Sequence, residues 1–196
     1  MCRSVLSALA YMIFPAVMFA QSDAFQIRFA ANLPLGDSVV DVTNAGTTGS
    51  TVCVNVYTFD ATEELVSCCT CPVTPNGLNS LSVKHDLINN TLTPAVPNSV
   101  VIKLLASAGV SGVCNAASPG TLVSGLRAWG TTIHTLPSGA PALTESPFLD
   151  ATLSSSEFTR MTTFCGFIQE IGSGHGICNS CRTGGLLSPS ISQANK

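Results

Sequence analysis

The chain has 196 residues, of which only 10% are charged, with eight Lys and Arg against eleven Asp and Glu. Cations so few and so scattered give no basic face, which argues against binding to nucleic acid and against electrostatic docking on anionic membranes. A surface built mainly from Ser, Thr, Asn and Gly suits association with neighbours or a sugar-like extracellular milieu, because interspersed charges normally keep apolar patches apart.

Residues 1–20 read as an export signal. Arg3 supplies the positive start, Val5 to Phe19 an apolar run, and Ala20 a small residue before the polar Gln21-Ser22-Asp23. The run is too short for a spanning helix, which needs about 20 apolar residues, and Pro15 interrupts it. Cleavage is expected near Ala20 or Ala24. At Ala20 it removes Cys2 and Arg3, leaving a formal charge of −4 and no further apolar stretch of membrane-spanning length. The expected address is therefore secreted, either extracellular or periplasmic.

Residues 21–36 form an N-terminal extension or edge strand. Phe25-Gln26-Ile27-Arg28-Phe29 alternates apolar and polar residues, so it suits the first edge strand of its own sandwich. The sharper alternative is a strand donated to a neighbour's sheet, which would make self-association or contact with other surface proteins the partner expectation. A period of two dominates from residue 37 onward. Asp37 to Thr43 is a strand, residues 44–49 a turn cluster, and residues 51–59 a strand with Val52, Val54 and Val56 on one face and Cys53, Asn55 and Tyr57 on the other. Asp60-Ala61-Thr62 bends the chain back into residues 63–69. Pro75-Asn76-Gly77 is a second turn, with Gly expected to take the positive φ, and residues 78–83 return from it. Further strands are expected at 100–105 and 126–134.

One helix interrupts the strands. Ser154-Ser155-Ser156-Glu157 is a capping box, in which the Ser hydroxyl accepts a free N–H and the Glu reaches back to the cap. Phe158, Met161, Cys165 and Ile168 recur at helical spacing, with Phe164 and Ile171 offset, and Gly172 supplies the stop. The helix is predicted over 155–171, and residues 184–196 are read as a flexible tail. The predicted fold is mainly β: a disulfide-braced, immunoglobulin-like β-sandwich over 37–183 carrying one C-terminal amphipathic helix.

The chain has nine cysteines, and removal of Cys2 leaves eight: Cys53, Cys68, Cys69, Cys71, Cys114, Cys165, Cys178 and Cys181. An even count in an oxidising compartment predicts disulfides. Cys68 and Cys69 are adjacent in a strand, point to opposite faces and should bond different partners. Cys53, across the 60–62 bend, is the first expected partner of Cys68 or Cys69. Cys165 should tie the helix to the Cys178/Cys181 loop or to the sheet. A soft-metal site from Cys68, Cys69, Cys71, Cys178 and Cys181 is the competing reading, and Cys178-Asn179-Ser180-Cys181 also has the spacing of a redox dithiol. Too little chain follows that pair for the helix and strands of a thioredoxin-like fold.

His175, in the Gly-rich loop beside those cysteines, is the one histidine singled out as a functional candidate. Neither His85 nor His134 falls in a nucleophile elbow or a zinc-binding helix motif. Asp37, Asp41 and Asp60 are read as caps of turns and strand ends rather than calcium ligands. Trp129 and Tyr57 can stack on a sugar, though packing within the sheet is the plainer reading.

The run from Cys53 to Asp60, followed by Cys68-Cys69-Thr70-Cys71-Pro72 and Pro75-Asn76-Gly77-Leu78, resembles an uncharacterised family of secreted cysteine-rich bacterial proteins. The resemblance extends from about Asp37 to Gly185. It implies a secreted bacterial origin and brings no known activity to carry over. The functional expectation is a secreted structural or binding protein with no catalytic residues, no metal and no cofactor. The alternative is a secreted enzyme or metal-handling protein that uses His175 and the Cys178/Cys181 loop.

Overall fold

In a computed structural model of the chain, residues 23–182 are described; the expected signal peptide at 1–20 and tail at 184–196 lie outside them. In chain order the strands are β1 (Phe25–Ala30), β2 (Val39–Asn44), β3 (Val52–Phe59), β4 (Leu65–Val73), β5 (Leu78–Ser82), β6 (Val100–Ser107), β7 (Leu126–Thr135), β8 (Pro141–Pro147) and β9 (Leu149–Asp150), followed by helix α1 (Ser155–Glu170). The strands form two sheets, a five-stranded one ordered β4-β3-β6-β1-β9 and a four-stranded one ordered β5-β2-β7-β8. All pairings between these strands are antiparallel. The fold is thus mainly β with one helix, and it is compatible with the immunoglobulin-like layout.

Two cores follow from the alternation of strand side chains. Val54, Val56, Ile102 and Leu104 from the five-stranded sheet meet Val40, Val42, Leu81 and Leu126 from the four-stranded sheet to form the inner core. On the other face of the five-stranded sheet, Phe25, Tyr57, Phe59 and Leu105 pack under Met161, Cys165 and Ile168 of α1. Strand β3 lies between these layers, so all eight of its residues are buried. Its Val52/Val54/Val56 and Cys53/Asn55/Tyr57 faces are the two that alternation separates.

Four local expectations need correction. Asn76 takes the left-handed conformation of the 75–77 turn, at φ 58°, while Gly77 closes the turn by donating its N–H to the Thr74 carbonyl at 2.8 Å. A Cβ at residue 77 would meet that carbonyl oxygen at 2.9 Å, so the glycine is needed for close approach rather than for its φ. Only half of the capping box forms: Ser154 Oγ accepts from Glu157 N at 3.1 Å, but the Glu157 carboxylate is paired with Lys103 on β6. Phe164 and Ile171 are about half exposed instead of packed, because α1 buries only the narrow Met161, Cys165 and Ile168 stripe.

Strand β1 is not an edge strand. It pairs with β6 through all six residues and with β9 through Gln26 and Ile27, so it completes its own sheet. Arg28 projects from β1 into the space between the sheets and is nine-tenths buried. It donates to Thr132 Oγ1 at 2.8 Å and Ser146 Oγ at 3.2 Å, and it has no ion-pair partner among the described residues. Burial lowers its pKa.

Candidate functional site

All eight cysteines pair. The bonds are Cys53–Cys114, Cys68–Cys165, Cys69–Cys178 and Cys71–Cys181, with Cα separations of 5.0 to 5.8 Å. Cys53 therefore does not bond Cys68 or Cys69 across the bend. It faces Pro72 on β4 and Ser107 on β6, and it reaches instead to the loop beyond β6. Cys68 and Cys69 do choose different partners, as their opposite faces require. Cys68 points outward to α1, whereas Cys69 and Cys71, two residues apart, both point inward to Cys178 and Cys181. The helix is tied to the sheet rather than to the loop. With Cys178 and Cys181 bonded to β4 and not to each other, the loop holds neither a dithiol nor thiolate ligands.

These bonds hold residues 172–181 along the free edge of β4. His175 N donates to the Cys68 carbonyl at 3.1 Å, Thr70 N to the Gly176 carbonyl at 3.1 Å, and Cys178 N to the Thr70 carbonyl at 3.0 Å; Thr70 and Ile177 form a parallel bridge. The segment acts as a strap that satisfies the edge donors and acceptors of β4. Gly174 lets it lie close, since a Cβ there would meet the Cys68 carbonyl oxygen at 2.9 Å with φ at +65°.

His175 is half-buried in this strap. Its Nε2 lies 2.8 Å from Asn89 Oδ1 and 3.3 Å from Asn179 Nδ2. Burial first, then the Arg182 charge, pushes the imidazole below its ordinary value of 6.5, with Asp86 acting in the opposite sense. A neutral imidazole held by two amides is suited to tying loops together. The organising group beside it, which sequence reasoning missed, is Asp86. It is fully buried in a π-helical turn at Val83–Leu87 and accepts from Ser82 N at 2.8 Å, Ser180 N at 2.6 Å and Ser180 Oγ at 2.7 Å. No local motif marks it, because two of these donors lie 94 residues away.

Asp37 and Asp60 do the capping expected of them, whereas Asp41 lies inside β2 and bonds a side chain on the neighbouring strand instead of capping backbone. Asp37 accepts from Ser82 Oγ and Lys84 N, Asp41 from Ser80 Oγ, and Asp60 from the Thr62 and Glu64 amides. Among the described residues no group of three His, Cys, Asp or Glu is placed to hold a metal ion.

The two aromatic candidates separate. Tyr57 is buried, with its hydroxyl donating to the Ala116 carbonyl at 2.6 Å. Trp129 stands on the outer face of the four-stranded sheet and is 36% exposed. Register places Asp41 and then Ser80 to one side of it and Pro147 to the other, with Arg127 and Thr131 two residues away along β7. The only α-helix among the described residues lies on the other sheet, so Trp129 stands on a face of hydroxyl, carboxylate and guanidinium groups that α1 does not cover.

The far edge of that sheet is β8, none of whose residues is fully buried. Leu136 N donates to the Ala140 carbonyl and Phe148 N to the Ala128 carbonyl at its two ends. With this register, alternation turns the backbone of residues 142, 144 and 146 toward β7 and that of 141, 143, 145 and 147 toward solvent. Pro141 and Pro147 occupy the two terminal outward positions and have no N–H. Only Leu143 and Glu145 can donate to an added strand, which blunts the edge against strand addition.

Comparison with known proteins finds no family model, no curated protein and no solved structure that matches this chain.

Proposed function

We propose that the protein is an exported binding module of the cell exterior, without catalytic activity, that docks through the open face around Trp129. Export accounts for the leader-like residues 1–20 and for four disulfides, which persist in oxidising compartments. The observation that carries the binding reading is Trp129 itself, a large aromatic left 36% exposed on an inner strand of the sheet that α1 does not cover. Its neighbours Asp41, Ser80, Arg127 and Thr131 offer hydrogen bonds of both polarities. That combination fits a neutral polyhydroxylated ligand such as an extracellular polysaccharide, whose sugar rings stack on an indole while their hydroxyls bond at its rim.

The blunted β8 edge and the strapped β4 edge favour binding through this face over assembly by strand addition. The metal-handling alternative loses its sulfur ligands to the disulfides. Because Trp129 is the sole tryptophan, its fluorescence reports on this face alone. Titration with a panel of soluble neutral polysaccharides should shift or quench the emission, and Trp129→Ala should lose retardation in affinity gels containing the same polymer. Unchanged emission across the panel, together with equal mobility of the two proteins, would count against the reading.

A further inference from the structure

Arg28 sits between the sheets without the carboxylate that a buried cation needs. It is 8% exposed, and its Nη1 is buried with no hydrogen-bond partner among the described residues. Its side-chain hydrogen bonds go to hydroxyls, from Nη2 to Thr132 Oγ1 and from Nε to Ser146 Oγ. All eleven Asp and Glu of the sequence fall within residues 23–182, and none of them forms an ion pair with Arg28. A buried charge left unpaired opposes folding, and water that completes its hydrogen bonds does not neutralise it. The guanidinium nevertheless has a seat. It lies against Gly130 on β7, where a Cβ would meet its Cζ, Nε and Nη1 at 2.8 Å, so the glycine leaves the room it occupies.

Beside it a cavity of about 470 Å³ opens at the rim of the sandwich. Strand β9 pairs with β1 only at Gln26 and Ile27, so that edge of β1 is uncovered from Arg28 onward. Arg28, Ser146 and Asp150 supply the polar wall, and Ile27, Phe29, Pro147 and Leu149 the apolar one. Ala151 N donates to the Phe25 carbonyl, so alternation turns the backbone of Phe29 to the same uncovered edge. The volume falls in the range of small-molecule sites, about 300 to 1,000 Å³.

We propose that this cavity binds a small monocarboxylate with an apolar body, such as a short-chain fatty acid or an aryl acid, anchored by Arg28. The carboxylate accepts from the guanidinium, whose planar fork suits it, and the apolar body lies against Ile27, Phe29 and Leu149. Because Nη1 is closed off from solvent, binding turns the guanidinium toward the cavity. The Asp150 carboxylate, which accepts from Gln26 Nε2 at 3.0 Å, opposes a second negative charge there and so disfavours dianions such as phosphate. The site does not depend on the polysaccharide reading of the Trp129 face.

Calorimetric titration and melting of the oxidised protein with hexanoate and benzoate, against hexanamide and benzamide, test it. The acids should bind saturably, raise the melting temperature and bind about tenfold or more tighter than their amides, since hydrogen bonds to charged groups exceed neutral ones. Arg28→Met removes the unpaired charge, so it should melt no lower than the parent and lose the preference for acid over amide. Leu149→Glu, at a position 69% exposed, should weaken acid binding and keeps the test open where Arg28→Met does not fold. Equal affinity for acid and amide, a preference that survives Arg28→Met, full acid binding by Leu149→Glu, or no binding of either acid at millimolar concentration would each overturn the site. Phosphate competing as strongly as hexanoate would overturn the choice of a monocarboxylate.

Discussion

Strands β4 and β8 each lie at the edge of a sheet, and the chain guards them by opposite means. Eight of the nine β4 residues are buried, and three of its cysteines fasten it to α1 and to the 172–181 strap. No residue of β8 is buried, no disulfide reaches it, and its protection is two prolines that remove outward donors. The difference follows from what lies behind each edge. Behind β4 are two cores whose apolar side chains need a cover, so an edge there must be closed by more chain. On β8 itself no side chain is buried, and removing two hydrogen-bond donors is sufficient to limit strand addition.

The comparison is broken most completely by reduction. The three disulfides on β4 span separations of 97, 109 and 110 residues. Each is worth about 2 to 4 kcal/mol through restriction of the unfolded chain, against total stabilities of about 5 to 15 kcal/mol. Strong reductant should therefore lower the melting temperature sharply and release the strap. A melting curve unchanged by reductant would defeat the argument.

Next in size is Ile168→Asp, which places a charge at a position 1% exposed between α1 and the five-stranded sheet. An uncompensated buried charge costs about 3 to 5 kcal/mol, so little folded protein should be recovered. Recovery of native protein with an ordinary denaturation midpoint would mean that α1 is not docked there. Ser154→Ala removes the acceptor for Glu157 N and should cost about 0.5 to 2 kcal/mol in urea denaturation. Wild-type stability at the cap would contradict the observed bond.

A smaller effect comes from pH. His175 has its pKa lowered in the fold, so the unfolded state binds more protons between that lowered value and 6.5. The associated stability is present above 6.5 and declines as pH falls through that window. His175→Gln should flatten this part of the melting-temperature profile; equal slopes in the two proteins would assign the decline to other groups. The smallest change is expected at the far edge. Leu143 is 68% exposed on β8, and Leu143→Ser should shift stability by no more than about 0.5 kcal/mol. A larger loss by calorimetry would show that the arm is packed in solution.

How much of this was legible beforehand varies with the distance between interacting residues. The two faces of β3, the Ser154 cap and the opposite orientations of Cys68 and Cys69 depend on neighbours one to three positions away, so pattern alone sufficed. Strands β8 and β9 escaped notice because Pro141-Ala142-Leu143-Thr144-Glu145-Ser146-Pro147 is bounded by prolines and shows weak alternation; its strand state comes from pairing with β7. The candidate site was legible only in part. Trp129 and His175 stood out by type, but composition could not say that one would face solvent from an open sheet and the other would lie pinned beside a buried Asp86.

By itself, then, the sequence determined the β class, the one helix and its cap, the bend at Asp60 and the expectation of an even set of disulfides, since each rests on local sterics or simple counting. Tertiary structure decided the disulfide partners, the inner position of β1, the strap over β4 and the exposure of Trp129. These depend on which strands lie side by side, and that is settled by burying the largest apolar area across segments as much as 110 residues apart.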